Sequence, residues 1–310
     1  MKKNITITGV TGFVGQNLSP YLEKNRSNKI KGISRSAKET KMISYSHLTS
    51  QEWNNMHVFI HLAGKAHDLK KTSQDQEYFQ VNTELTIQLF NQFLQSTCET
   101  FIYMSSVKAV ADKMEGVLTE ETHPNPQTVY GQSKQKAEEY LLNQPLPKGK
   151  RLYILRPCMI HGPGNKGNLN LLYSFVSKGI PYPFGGYQNQ RSFLAVENLC
   201  FVIKEIIENK DIPSGVYNVA DDESLSTTNL VSIIGEAINK PTKILKIPKS
   251  IVKLMAKLGD VIPLPVNSER LDKLTENYLV SNVKIKKAIK KELPINTKQG
   301  IVKTIKSFKK

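Results

Sequence analysis

A tyrosine and a lysine stand four places apart in the stretch TVYGQSK, as Tyr130 and Lys134. On a helix, residues i and i+4 share one face. An ammonium beside a phenol stabilises the phenolate and is expected to lower the pKa of Tyr130. A phenol so tuned can give or take a proton at a substrate oxygen while a hydride moves to or from a nicotinamide. Upstream, Ser106 closes the stretch FIYMSS, which reads as the C-terminal end of a central strand. Open α/β sheets bind ligands at such ends, and a hydroxyl there can hold the same oxygen. Tyr-x-x-x-Lys is common by chance, so the pair gains meaning only from what surrounds it.

The N-terminus supplies that context. Gly9-Val10-Thr11-Gly12-Phe13-Val14-Gly15 has the spacing G-x-x-G-x-x-G. Ile5 and Ile7 alternate with polar residues before it; Phe13, Val14, Leu18 and Leu22 follow at helical spacing. A chain that turns sharply out of a strand and opens a helix can bring backbone N–H groups and the helix dipole onto a pyrophosphate. This context points to a dinucleotide. A carboxylate at the end of the second strand would bond the ribose hydroxyls of NAD. Here Ser34-Arg35-Ser36 stands there. An arginine with hydroxyls accepts a 2′-phosphate, which favours NADP(H) and leaves NAD(H) open.

Elements that must position these groups alternate along the chain. Strands are predicted at KIKGIS, VFIHLAG, TFIYMSS and RLYILRP, with helices at 78–95 and through Tyr130. The alternation predicts a doubly wound, Rossmann-type parallel sheet with helices on both faces. Beyond about residue 160 the texture changes to glycine- and proline-rich loops, with short strands at GVYNVAD and TKILKIP and a helix at 227–239. The reading is a dinucleotide-binding core over 1–160. A smaller substrate-binding lobe follows over 161–310, with segments returning to the core and a cleft between the two.

Composition narrows the class. The chain has 310 residues and a net charge of +16, spread over dispersed lysines without an RNA- or DNA-binding motif. No nucleic-acid partner is expected. Three separated cysteines and six histidines show no metal-ligand spacing, so no metal is expected. No signal peptide or membrane span is legible, and a cytoplasmic protein is expected. The stretch KSIVKLMAKLGDVI at 249–262 is basic and amphipathic. It could lie on a membrane surface, but it has no aromatic anchor, and Ile251, Leu254, Met255 and Leu258 are expected to pack the C-terminal lobe.

These motifs, in this order, resemble the extended short-chain dehydrogenase/reductases, and among them the NAD-dependent epimerase/dehydratase group. The segments TGVTGFVG, HLAG, VNTELT, MSSVKAV, VYGQSK, LRPCMIHGPG and RSFLAVENL carry the resemblance along nearly the whole chain. GNKGNLNLL and RSFLAVENL are similar to the branch acting on UDP-N-acetylhexosamine derivatives. The resemblance implies that Tyr130 is the acid/base, Lys134 binds the nicotinamide ribose and Ser106 polarises the substrate oxygen. It implies a cofactor site of Gly9, Thr11, Gly12, Phe13, Val14, Gly15, Ser34, Arg35, Leu62, Ala63, Gly64, Asn82, Lys134 and Pro157. It implies that Arg191 contacts the substrate diphosphate, with Asn168 and Arg270 as helpers, and that the protein is a homodimer.

Two departures matter. His161 replaces the tyrosine of the family's YGPG. Val107-Lys108 replaces the Asp-Glu pair with which dehydratases of the group eliminate water, which argues against elimination. The expected activity is reduction or epimerisation at C4 of a UDP-sugar, for surface polysaccharide synthesis. The missing ribose-binding carboxylate leans toward reduction. A reductase of a non-sugar carbonyl would need no diphosphate clamp. A non-catalytic dinucleotide binder would not need Ser106, Tyr130 and Lys134 together.

Overall fold

The computed structural model describes residues 2–35, 42–65, 74–165, 167–262 and 267–308, the Asn168 side chain excepted. In chain order the strands are β1 (Lys3–Thr8), β2 (Asn28–Ser34), β3 (Met42–Ser44), β4 (Val58–His61), β5 (Thr100–Met104), β6 (Val117–Leu118), β7 (Arg151–Pro157), β8 (Met159–His161), β9 (Phe193–Ala195), β10 (Gly215–Val219) and β11 (Leu279–Val280). The helices are α1 (Phe13–Glu23), α2 (Ser50–Asn54), α3 (Asp75–Phe79), α4 (Leu85–Gln95), α5 (Val129–Asn143), α6 (Asn168–Ser177), α7 (Val196–Glu208), α8 (Thr227–Ala237), α9 (Lys249–Val261), α10 (Ser268–Thr275), α11 (Val283–Ile289) and α12 (Thr297–Ser307).

Seven strands form one parallel sheet in the order β10-β7-β5-β4-β1-β2-β3. The order reverses at β1, which leaves a crevice at the C-terminal ends of β1 and β4. Register aligns Thr8 with His61, and His61 with Tyr103, so the ends of β1, β4 and β5 open on one edge. The period-two pattern of β1 understates its burial. Thr6 and Thr8 are as buried as Ile5 and Ile7, because a central parallel strand is covered on both faces. β10, from beyond residue 160, joins this sheet beside β7, and a short β3, unforeseen in the sequence, extends its far edge.

A second apolar cluster, with Val176, Phe193, Val231, Ile234, Ile301 and Ile305 at its heart, holds the C-terminal lobe. Two expectations fail there. TKILKIP forms no strand, only isolated bridges of Ile244 to Tyr182 and Lys246 to Phe184. In α9 the side chains turned into the lobe are Val252 and Ala256; Ile251, Leu254, Met255 and Leu258 are exposed. The helix packs by its narrow small-residue side, and the wider apolar face points outward. Among the described residues, no helix is long and apolar enough to cross a membrane.

Candidate active site

The glycine turn has the geometry its spacing demands. Gly9 sits at φ +68°, and a β-carbon there would lie 2.7 Å from the Ala63 backbone nitrogen. A β-carbon on Gly15 would meet the Gly9 carbonyl oxygen at 2.5 Å. These two glycines let β1, the Leu62-Ala63-Gly64 turn and α1 close on one another. Gly12 is the N-cap of α1, with no side-chain cap, and Thr11 and Gly12 are exposed. The first N–H groups of α1 are therefore free of a capping side chain and suited to an anion. Phe13 and Val14, half-buried, follow in the first turn of α1. The donor set fits the pyrophosphate of a dinucleotide.

Beneath this turn runs a buried polar chain. The Ala63 N–H donates to Thr8 Oγ1 at 3.1 Å, and Thr8 Oγ1 lies 2.7 Å from His61 Nδ1. His61 Nε2 is 3.0 Å from Thr86 Oγ1, which donates to the Asn82 carbonyl at 2.7 Å. One tautomer satisfies every link: the Thr8 hydroxyl donates to Nδ1, and Nε2–H donates to Thr86. Burial pushes the His61 pKa down to about 3, with the Lys134 charge adding to it, so the imidazole is neutral. Asn82 continues the network. Its amide bonds the Lys65 backbone at 2.7 and 3.0 Å and donates to Ser133 Oγ at 3.0 Å. It sits in a π-helical turn, Gln80–Glu84, a distortion common at functional sites. Sequence reading passed over His61, for which a lone histidine ending a strand is no signal.

Tyr130 and Lys134 share the face of α5 that meets the end of β5. Asp112 sets the start of that helix by accepting from Gln127 N, Thr128 N and Thr128 Oγ1 at 2.7, 2.9 and 2.9 Å. Thr128 caps it by accepting from the Gly131 N–H. The Tyr130 phenol lies near enough to Ser106 for that hydroxyl to act on its pKa. Ser106 Oγ accepts from the Lys108 N–H at 3.1 Å, which leaves the hydroxyl proton to donate toward the phenol or a substrate oxygen. The Lys134 ammonium donates to the Met104 carbonyl at 2.9 Å and lies 4.8 Å over the Tyr103 ring. A β-carbon on Gly64 would stand 3.1 Å from both Asn82 Oδ1 and Lys134 Nζ, so this ammonium faces the turn between β4 and the dinucleotide crevice.

The electrostatics differ from expectation in one respect. Burial raises the Tyr130 pKa; the Ser106 hydrogen bond pulls it back and the Tyr78 phenol adds to the rise. Lys134 does not depress it, because its ammonium is turned to the Met104 carbonyl and is itself shifted to about 8 by burial, offset in part by Glu138. Behind Lys134, Glu138 is held by Arg156 Nε at 3.1 and 3.0 Å and by the Ser105 hydroxyl, all buried. This ion pair also went unforeseen.

The other expected residues separate into two groups. Pro157 is buried at the end of β7, Ser34 ends β2 and Arg35 is exposed just after it, while Ser36 lies outside the described residues. Arg191 is brought to the cleft between the core and α10. Its guanidinium donates to the Lys273 carbonyl and lies 3.6 Å from Glu276, and burial lowers its pKa while Glu276 opposes the shift. Lys108, which lies over the Tyr278 ring at 4.5 Å, is coupled to the same Glu276 and Arg191 charges. Lys108 and Arg191 thus share this cleft with the carboxylates Asp112 and Glu276. Arg270 is exposed on α10, its N–H capped by Asn267. Asn168 opens α6, and its side chain lies outside the described residues. His161 is buried against α12, with Nδ1 2.9 Å from Thr304 Oγ1 and Nε2 3.8 Å from Asp221; it serves the packing of the lobe.

A doubly wound parallel sheet, an uncapped glycine turn at its switch point and a Ser–Tyr–Lys group at the strand ends define an enzyme of the nicotinamide-dinucleotide class. The description of the NAD dependent epimerase/dehydratase family matches residues 5–220, and the chain belongs to that family. It is 33% identical to a UDP-glucose 4-epimerase of Vibrio cholerae over 99% of this chain and 96% of the relative. It is 27% identical to an Escherichia coli O157:H7 N-acetyl-α-D-glucosaminyl-diphospho-ditrans,octacis-undecaprenol 4-epimerase, over 93% of this chain and 86% of that one. Among solved structures it superposes on the UDP-N-acetylglucosamine 4-epimerase of Bacillus cereus with a TM-score of 0.76, covering 98% of each chain at 18% identity, a likeness of fold.

Proposed function

We propose that this enzyme inverts C4 of a UDP-linked hexose or N-acetylhexosamine for surface polysaccharide synthesis. The carrying observation is Tyr130 set against Ser106, whose hydroxyl pulls the phenol's pKa down, with Lys134 one helical turn on. Tyr130 takes the proton of the C4 hydroxyl and returns it; Ser106 holds that oxygen throughout. A bound dinucleotide would supply reversible hydride exchange at C4, and the chain's own part is to hold the sugar so that C4 meets it from either face. Lys134 holds the nicotinamide ribose from the Gly64 side, and its charge favours the phenolate once the ribose draws it off the Met104 carbonyl. The glycine turn, Leu62, Ala63, Asn82 and Pro157 frame the same ligand. Val107 and Lys108 provide no carboxylate for elimination, so inversion or reduction is favoured over dehydration. Between these two, the 4-epimerase relatives favour inversion over the reduction suggested by Arg35. The hydride returns in each cycle, so either dinucleotide can serve. The Arg35 turn favours NADP(H), with NAD(H) as the other occupant.

In this reading Arg191 takes the diphosphate. Its fork can exchange the Lys273 carbonyl for two phosphate oxygens, which a lysine cannot match. A second reading, a polyprenyl-diphosphate-linked sugar, is favoured by the exposed apolar face of α9 and shares the same diphosphate. Proton NMR of UDP-glucose, UDP-galactose and their N-acetyl forms incubated with the protein tests the function. Appearance of the C4 epimer supports it. Absence of any epimer, together with absence of UDP binding by calorimetry, rejects the UDP-sugar reading.

A further inference from the structure

Lys108 and Arg191 are tied to one residue, Tyr278. The Tyr278 N–H donates to the Gln190 carbonyl at 2.9 Å, and its own carbonyl accepts from the Ser192 N–H at 2.9 Å, which bridges it to Arg191. Its hydroxyl donates to the Ala111 carbonyl at 2.6 Å and lies 3.3 Å from the Val107 carbonyl, so it closes on the turn after Ser106. The Lys108 ammonium stands 4.5 Å over its ring. Lys108 is thereby set between the segment that carries Arg191 and Ser106, to whose Oγ the Lys108 N–H donates at 3.1 Å.

An ammonium has three donors. Among the described residues Lys108 uses one, on the Asp112 carbonyl at 2.5 Å. The Asp112 carboxylate is taken up elsewhere, by Gln127 N, Thr128 N and Thr128 Oγ1 at the start of α5, whose dipole its charge complements. Glu276 is turned to Arg191 at 3.6 Å. Burial lowers the Lys108 pKa, Asp112 and Glu276 oppose the shift, and Arg191 adds to it, so the Arg191 charge is felt at Lys108. Once Asp112 is spent on α5, two cations face one carboxylate. An anion between them would take the spare ammonium donors and balance the charge.

We propose that Lys108 binds the sugar-proximal phosphate of a UDP-sugar, beside Arg191. The assignment rests on the UDP-sugar reading above. In that reading Ser106 holds the C4 oxygen and Arg191 the diphosphate, so a cation between them meets the substrate where sugar joins phosphate. A carboxylate borne by the sugar is the other anion that could lie near Ser106; the shared Tyr278 and the coupling to Arg191 favour the phosphate. The guanidinium fork fixes a pair of oxygens, while an ammonium acts as a point charge about which a phosphate can turn. Lys108 thus anchors the C1 end of the ring, and that binding energy positions C4.

Calorimetry of wild type, K108Q and K108R with UDP and with UMP tests the proposal, since UMP lacks the sugar-proximal phosphate. K108Q should bind UDP about tenfold or more weakly and UMP nearly as wild type does. K108R should recover part of the UDP affinity. In turnover of UDP-glucose the KM of K108Q should rise by a similar factor while kcat falls less, with dinucleotide affinity unchanged. Equal losses for UDP and UMP would mark a general disturbance of the cleft and overturn the proposal. So would UDP affinity unchanged in K108Q; if UDP-glucuronic acid alone then bound more weakly, Lys108 would belong to a sugar carboxylate. A wild-type protein that binds neither UDP nor UMP would reject the UDP-sugar reading itself, and this assignment with it.

Discussion

A β-carbon on Gly131 would sit 2.4 Å from the carbonyl oxygen of Lys108 and 2.8 Å from the Pro126 side chain. The first turn of α5 therefore lies directly on the turn that follows Ser106. That approach is what allows Tyr130, one residue earlier, to reach the Ser106 hydroxyl. The glycine of VYGQSK is a spacing device for the two hydroxyls, and backbone freedom is not its purpose. Gly131→Ala should push α5 off this turn, destabilise the fold by about 1–3 kcal/mol and lower turnover by about ten- to a hundredfold. Wild-type turnover of a folded G131A protein would show that the close approach is not needed.

Tyr130→Phe removes the transferable proton and leaves the ring in place. Turnover should fall by about two to four orders of magnitude. Dinucleotide affinity, measured by fluorescence titration, should change little, because Tyr130 is assigned to the sugar oxygen. Near-normal turnover would reassign the acid/base.

Arg35 is exposed just after the end of β2, where the proposal sets the adenosine. Arg35→Ala should weaken NADPH binding by about 1–3 kcal/mol, as expected for a lost charge-assisted hydrogen bond, and NADH binding much less. Equal losses in calorimetry with the two cofactors would leave Arg35 as an adenine-stacking residue.

His61 gives the fold an acid sensitivity. Its pKa falls from 6.5 to about 3 on burial. Between these values the unfolded chain binds the proton and the folded protein does not, so stability rises with pH through this window and is lost as pH falls from 6.5 toward 3. Urea denaturation at pH 7 and pH 4.5 should show a drop of order 2 kcal/mol attributable to this group. In His61→Asn that drop should shrink; an unchanged pH dependence would place the acid lability elsewhere.

Glu138 and Arg156 form a buried ion pair behind Lys134. Removing one partner leaves the other charge uncompensated. Glu138→Gln should cost about 3–5 kcal/mol in chemical denaturation, and adding Arg156→Met should restore much of it. Additive losses in the double variant would mean the pair is not coupled.

Local features were readable along the chain. A glycine turn between a strand and a helix is set by neighbours within a dozen residues, and so is the i, i+4 pairing of Tyr130 with Lys134. The strands at KIKGIS, TFIYMSS, RLYILRP and GVYNVAD form in place for the same reason: side-chain period and β-propensity act over a few residues. TKILKIP had equal propensity but found no neighbouring strand with which to form a ladder, and it stayed irregular. Tertiary structure alone decided what depends on partners distant in sequence. Thr8 and His61 became a buried hydrogen-bonded pair because β1 and β4 are adjacent in the sheet. The Tyr130 pKa moves upward because burial outweighs the Ser106 hydrogen bond and the Lys134 charge is committed to β5. Arg191 met Lys273 and Glu276 only when α10 folded over the cleft. The face α9 turns outward was undecidable from its pattern, since Val252 and Ala256 are as apolar as the residues it exposes. Periodicity reports that a helix has two sides; only the shape of the lobe beneath determines which one is buried.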